Sequence, residues 1–463
     1  MVGPRFPGLV RPVRLAATVA AVPAEEEEAP GPCSVLEHPD ASTFITASWG
    51  ELFGGGVTNG CAVNPNTGAL YVVGYETLFP DGGFILKYDS DLNLIASARA
   101  ADVVASRFNG VAVNESTGDV YVVGVTDASN YQMLVMRFDE DLVHIGDASL
   151  GKAVQSTTGA GIAIDQSSGA VIAVGWTLRI ADHVSVVAKY SPSLVLDTAK
   201  ECALAGGALL SHCVDVHRDT GDIYVGGAYS GSYFVQRFDG DLGLLNDLRI
   251  AGISTASYHG LKVDQSTGAV FATGYGGSSF HPNSINLARF SSALSLTGQS
   301  TIDMGARVDT YDVDIKNSTG DVYVGGRMVA FGRYKALMAM YDPGTMAMTE
   351  YKILGGANNY TYVRGVAYNR CTGDIYSAGE TNATGPGFQP ALVERNLVYA
   401  PAGVSPTCLP SIATSQAFPF VRTSLGSAAS PTYVVATSTL SSATPALAWG
   451  VALAATLGPC AAA

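Results

Sequence analysis

Apolar and polar positions alternate along this chain in short runs, and the runs return at a fixed spacing. Residues 110–113 (GVAV) are apolar, 114–119 (NESTGD) are polar, and 120–124 (VYVVG) are apolar again. Almost the same string reappears as KNSTGDVYVGG at 316–326. Anchored on the turn glycine, the unit occurs seven times, at Gly68, Gly118, Gly169, Gly221, Gly268, Gly320 and Gly373. Successive anchors lie 50, 51, 52, 47, 52 and 53 residues apart, and a second glycine follows each by six residues, from Gly74 to Gly379. Three residues after each anchor stands Tyr71, Tyr121, Ile172, Tyr224, Phe271, Tyr323 or Tyr376.

The second unit predicts four strands. NGVAVN is a short apolar run, ESTGD is a hairpin loop in which Gly118 can take a positive φ, and VYVVG is the second strand. MLVMRF follows as the third strand, DED as a turn and LVHIGDASL as the fourth strand. A period near fifty built from β-type residues marks a propeller. The expected fold is therefore all-β, a seven-bladed β-propeller with four-stranded antiparallel blades. After ALVERNL at 391–397 no fourth strand follows, whereas STFITASWG at 42–50 aligns with the fourth-strand segment LNLIASARA at 92–100. An N-terminal strand is thus expected in the last blade, closing the ring and covering its open edge. The domain reading is a leader at 1–40, a propeller at 41–400 and a Ser/Thr/Ala/Pro-rich tail at 401–463.

The GVAV…TGDVYVVG core and the FILKYDSDLNLI strand pair resemble the SBBP repeat, a seven-bladed β-propeller repeat of secreted and surface proteins of bacteria and archaea. The resemblance covers roughly 43–400. It implies the fold and a secreted or cell-surface location, and it says little about activity.

Composition sharpens this picture. Hydrophobic residues make up 47% and charged residues 14%, as suits many half-buried strands. A net charge of −14 without a basic stripe argues against nucleic acid as a partner. Residues 1–28 carry three early arginines, an apolar stretch and a V-P-A site before Glu25–Glu28, which reads as a secretory signal or a disordered leader followed by a solvated linker. The end, ALAWGVALAATLGPCAAA at 446–463, reads as a lipid-anchor signal, a membrane anchor or an Ala-rich tail. Of the seven cysteines, Cys33 and Cys408 flank the closing segments and are candidates for a disulfide clamp. Asn114, Asn317, Asn359 and Asn382 are glycosylation sequons.

Candidate chemistry falls in two places. The first strand of each blade should line the central channel, with positions four, six and eight before the anchor glycine facing inward. At minus six stand Ala62, Ala112, Ala163, Asp215, Lys262, Asp314 and Ala367, so three neighbouring blades carry acid, base, acid. Asp312 and Lys316 extend this line. It reads either as a self-satisfied ion network or as a site for a polar ligand or cation. On the face where first strands begin and second strands end, His212, His259, Tyr311, Arg364, Tyr75, Trp176, Tyr275, Arg327 and Glu380 form an aromatic and charged rim suited to a protein or glycan. Paired aspartates in three turns (Asp89/Asp91, Asp139/Asp141, Asp239/Asp241) read as turn residues, with calcium the weaker alternative. No HExxH, GxSxG, Walker or dinucleotide motif is present. The sequence therefore points to a non-catalytic extracellular propeller without a cofactor, binding a protein or glycan. The alternative is a secreted hydrolase or lyase with a cation-assisted channel site.

Overall fold

The computed structural model describes most of residues 56–396, apart from several short inter-strand loops, together with the backbone of 45–46 and 422–423. The leader, most of the tail, Cys33, Cys408, Asn359 and Asn382 lie outside the described residues. The described strands form seven antiparallel sheets. Six consist of four consecutive strands each, beginning with 56–63, 70–76, 83–88 and 94–99 and ending with 308–315, 322–330, 333–341 and 348–354. We number them blades one to six, and the remaining sheet blade seven. Blade seven is composite: 361–368, 375–381 and 391–396 are joined by the N-terminal pair Ile45–Thr46, with Ile45 opposite Val393 and Thr46 opposite Leu392. Residues 422–423, in the tail expected to stay clear of the core, pair with Arg249 and Ile250 on the outer edge of blade four.

Blade seven meets blade one through side chains. Tyr376 donates its hydroxyl to the Ser90 carbonyl at 2.8 Å, and the Asn369 amide donates to the Gly68 carbonyl at 3.2 Å. Ala367, Tyr376 and Ala378 share a core with Leu70, Leu86 and Tyr88. The same tyrosine contact recurs along the repeat. Tyr71 reaches Glu140, Tyr121 reaches Pro192 and Tyr224 reaches Ser292, each hydroxyl donating to a carbonyl in the outer turn of the next blade. The repeated tyrosine is therefore a seam residue, buried by its ring and satisfied by its neighbour.

The basic residue of the third strand does similar work. Arg137 pairs with Asp119 and Arg237 with Asp222, both at 2.7 Å, while Lys87 reaches Asp141 of the next blade at 3.4 Å. The aspartates expected to act as turn residues do so. Asp89 accepts from the amides of Asp91 and Asn93, and Leu92 in that turn holds a φ of 63° with its side chain buried.

One local device repeats in all seven inner strands. The pairing register with the second strand skips one residue: Asn59, Asn109, Ala160, His212, His259, Tyr311 and Arg364. Each is the extra residue of a β-bulge, which bends the strand and re-aims that side chain. The bulge also explains the second repeated glycine. A Cβ placed on Gly74, Gly124, Gly175, Gly227, Gly274, Gly326 or Gly379 would sit 1.8–2.3 Å from the backbone carbonyl oxygen facing it on the inner strand. No side chain fits there.

Gly124→Ala should therefore destabilise the ring by about 3 kcal/mol or more, at the severe end of overpacking. Gly146→Ala, where a Cβ meets nothing within 4 Å, should be near neutral. Denaturant unfolding of both variants checks this, and equal midpoints would refute the close-approach account.

Candidate functional site

The inner strands enclose a channel of about 300 Å³. The bulge shifts which positions face it. Residues nine, seven, six and five before the anchor glycine border it in every blade, minus eight does so in five of the seven, and residues three before line the turn end. The expectation of inward positions holds for minus six in every blade and for minus eight in five of the seven, and fails for minus four. Lys316 is absent from the lining: it opens the turn, where Asn64, Asn114 and Asp165 cap their own turns by accepting backbone amides. Asn114 is 3% exposed and spent on this cap, so its sequon has no room for a glycan.

At the turn end, residues that alternation did not single out meet across the axis. Glu115 of blade two meets Arg218 of blade four at 2.5 Å and Arg370 of blade seven at 3.5 Å. Arg370 also donates to the Asn317 side-chain oxygen of blade six at 2.8 and 3.0 Å. Four blades thus tie across the channel. Their common signal in the sequence is the polar residue that follows the turn cap.

In the middle, the channel acids work on the seams. Asp215 accepts from the Val263 amide at 2.9 Å, Asp314 from Tyr368 at 2.7 Å and Asp312 from Val366 at 2.8 Å, each across to the next blade. Lys262 lies 3.5 Å from Asp314. Asp314 and Asp215 together hold the Lys262 ammonium above its ordinary range. Asp312 stands at minus eight, where five of the seven blades carry glycine because the neighbouring inner strand comes close; a Cβ on Gly260 would lie 2.6 Å from the Asp312 Cα. Burial pushes the Asp312 carboxyl up to about 7, and burial also raises Asp215.

At the bulge end, the predicted rim comes together as one arc. Trp176 packs edge-on against His212, which stacks on His259 at 4.6 Å; His259 stacks on Tyr275 at 5.0 Å and meets Tyr311 edge-on. Arg364 lies 4.4 Å over Tyr311 and is paired with the buried Glu380 at 3.3 Å. Arg327 sits among Tyr311, Tyr334 and Tyr362 and pairs with Asp309 at 2.8 Å. Tyr334, Tyr362 and Asp309 were not singled out in the sequence, because the blade edges that place them beside Arg327 were not. Tyr75 stands apart, under Arg107 at 4.8 Å. Burial keeps both mouth histidines neutral, lowering His212 to about 4 and His259 further. On the opposite arc, Asn59 donates to the Phe108 carbonyl and Asn109 to the Gly159 carbonyl, stitching blades one to three.

This architecture is that of a β-propeller. The chain is similar to the WD40 repeats of RRP9, with a TM-score of 0.50 and 9% identity over 73% of this chain and 94% of that one. The β-propeller domain of the trilobed protease from Pyrococcus furiosus aligns at 0.46 and 9% identity, over 74% and 96%. Sqt1 from Chaetomium thermophilum aligns at 0.43 and 13%, over 74% and 97%. At these identities the likeness shows the fold alone. No family model and no curated protein matches the sequence. The resemblance to the SBBP repeat therefore rests on the repeat residues themselves.

The channel should leave a pH signature. Between about pH 4 and 7 the folded state holds a proton on Asp312 that the unfolded chain has lost, so this group's contribution falls as pH rises through that window. The depressed histidines act in the opposite sense: the unfolded chain gains protons below about pH 6.5, and stability falls as pH drops toward 4. The stability difference between the wild type and Asp312→Asn should therefore shrink steadily from pH 4.5 to 7.5, measured by denaturant unfolding. A constant difference would mean that Asp312 is ionised throughout. Lys262 is 39% exposed to channel water. Lys262→Met should accordingly cost about 1 kcal/mol, as for a solvent-screened pair, and a loss of several would show the channel to be dry.

Proposed function

We propose that the seven sheets form one closed seven-bladed ring serving as a non-catalytic binding scaffold, secreted or displayed at the cell surface, whose ligand face is the bulge end of the channel. The observation that carries this reading is the continuous arc from Trp176 through His212, His259 and Tyr311 to Arg364, of which all but Trp176 are bulged residues that the backbone has no need to make aromatic or basic. Large rings held at low entropy cost, with arginine between them, are the composition of interface hot spots. The partner proposed is a protein, with a glycan as the other arm of the test. The fact that Cys371 is disulfide-bonded supports an oxidising compartment. A hydrolase or lyase drawing on the channel carboxylates is the second reading; against it, each carboxylate already serves a backbone amide of the next blade.

Partner capture by the full chain should fall at least about tenfold in a Trp176→Ala, Tyr275→Ala double variant. Capture unchanged by these substitutions would move the ligand face elsewhere. A glycan array on which the same variant loses signal would assign a glycan in place of a protein.

A further inference from the structure

The Glu115, Arg218, Arg370 and Asn317 contacts cross the channel at its turn end and obstruct that route, which favours entry from the bulge end. Its volume, about 300 Å³, sits at the low end of ligand pockets and suits one side chain better than a loop.

Above about pH 7, where Asp312 has lost its proton, the charges in its middle do not balance. Asp215, Asp312 and Asp314 face a single base, Lys262, which lies against Asp314. Asp312 makes no ion pair among the described residues; its oxygens accept only the Val313 and Val366 amides, and each carboxylate oxygen keeps a second lone pair. A second observation lies at the entrance. The Nε2 atom of His259 is buried without a hydrogen-bond partner, on a ring that stacks between His212 and Tyr275 and borders the channel. With the proton on Nδ1, the neutral ring offers Nε2 as an acceptor. The faces of Tyr311 and its neighbours supply π surface for a cation on the way in, because Arg364 and Arg327 are already neutralised by Glu380 and Asp309.

We propose that this well receives one basic side chain of the protein partner, a lysine or arginine head entering past His259 and Tyr311 and lodging against Asp312. The inference rests on the ligand face proposed above and adds what the partner must present to it. An ammonium or guanidinium brings several donors to a site that holds surplus carboxylate and an unsatisfied acceptor. It would complete a charge balance that the chain leaves open. A divalent cation is the competing occupant, and the test separates the two.

Cys61 is a free thiol that lines the channel and lies within the electrostatic reach of Asp312 and Asp314. Its modification by aminoethyl, methyl and sulfonatoethyl methanethiosulfonate, followed on the full chain by peptide mass, reports the preference of the well for charge without any partner being known. The cationic reagent should react at least about fivefold faster than the neutral one after correction for intrinsic rates, and the anionic one slowest. Millimolar n-butylammonium should protect the thiol, and n-butanol should not. Asp312→Asn should reduce both the preference and the protection, and Lys262→Gln should increase them. Ala112→Cys, on the lining of blade two, gives a second reporter if Cys61 reacts too slowly. Equal rates for the three reagents at both thiols would overturn the proposal, as would protection by CaCl₂ but not by n-butylammonium. Either result leaves the mouth-variant capture experiment to stand or fall by itself, since no mouth residue is altered here.

Discussion

Seven β-bulges, each answered by a glycine on the strand beside it, set the geometry on which the rest of this molecule depends. An inner strand in plain alternation would present every second residue to the axis. The extra residue lets positions minus nine and minus eight both reach the channel, one at its mouth and one against the next blade. It also drives a carbonyl toward the second strand so closely that only a hydrogen can occupy the facing Cα. The glycine is not there to loosen a strand. It is the space that the bulge occupies.

With the inner strands bent in this way, blade seams are finished by side chains. Tyrosine hydroxyls reach outer-turn carbonyls, asparagines reach inner-strand carbonyls near the mouth, and aspartates take inner-strand amides deeper in. Each contact is worth about 1 kcal/mol or a little more. Their importance lies in repetition around a ring, where a seam cannot open without disturbing the two beside it. The seam between blades seven and one uses the same vocabulary, because Tyr376 treats Ser90 as Tyr121 treats Pro192.

Much of this was legible in the sequence. The period, the hairpin turn, the completing N-terminal strand and the arc at the mouth all follow from residue type and spacing. The failures share a physical origin. Lys316 was placed in the channel by extending strand alternation into a turn, whose first residue lies outside the channel lining in every blade. Asn114 reads as a sequon because a sequon and an Asx cap use the same side chain, and only burial separates them. The cross-axis tie at Glu115 was invisible because it depends on which blades stand opposite each other, a property of ring geometry and not of local pattern.

The repeat itself differs between one side of the channel and the other. At minus nine, eight and six, blades one to three read Asn-Gly-Ala, Asn-Gly-Ala and Ala-Gly-Ala, a lining that is small and leaves the channel open. Blades four to six read His-Cys-Asp, His-Gly-Lys and Tyr-Asp-Asp. The bulge geometry is the same in both halves, so the backbone does not require the difference. Seam repair accounts for Asp215 and Asp314, each of which accepts a backbone amide of the next blade. It does not account for His212, His259 and Tyr311, whose rings stack on one another at the entrance while the opposite arc manages with asparagine and alanine. Asp312 serves the Val366 amide in the same way, but its carboxylate is costly to bury at a position where five blades carry glycine. Groups that raise the free energy of the empty ring and cluster on one side of one opening are better explained by something that enters there than by the fold that carries them.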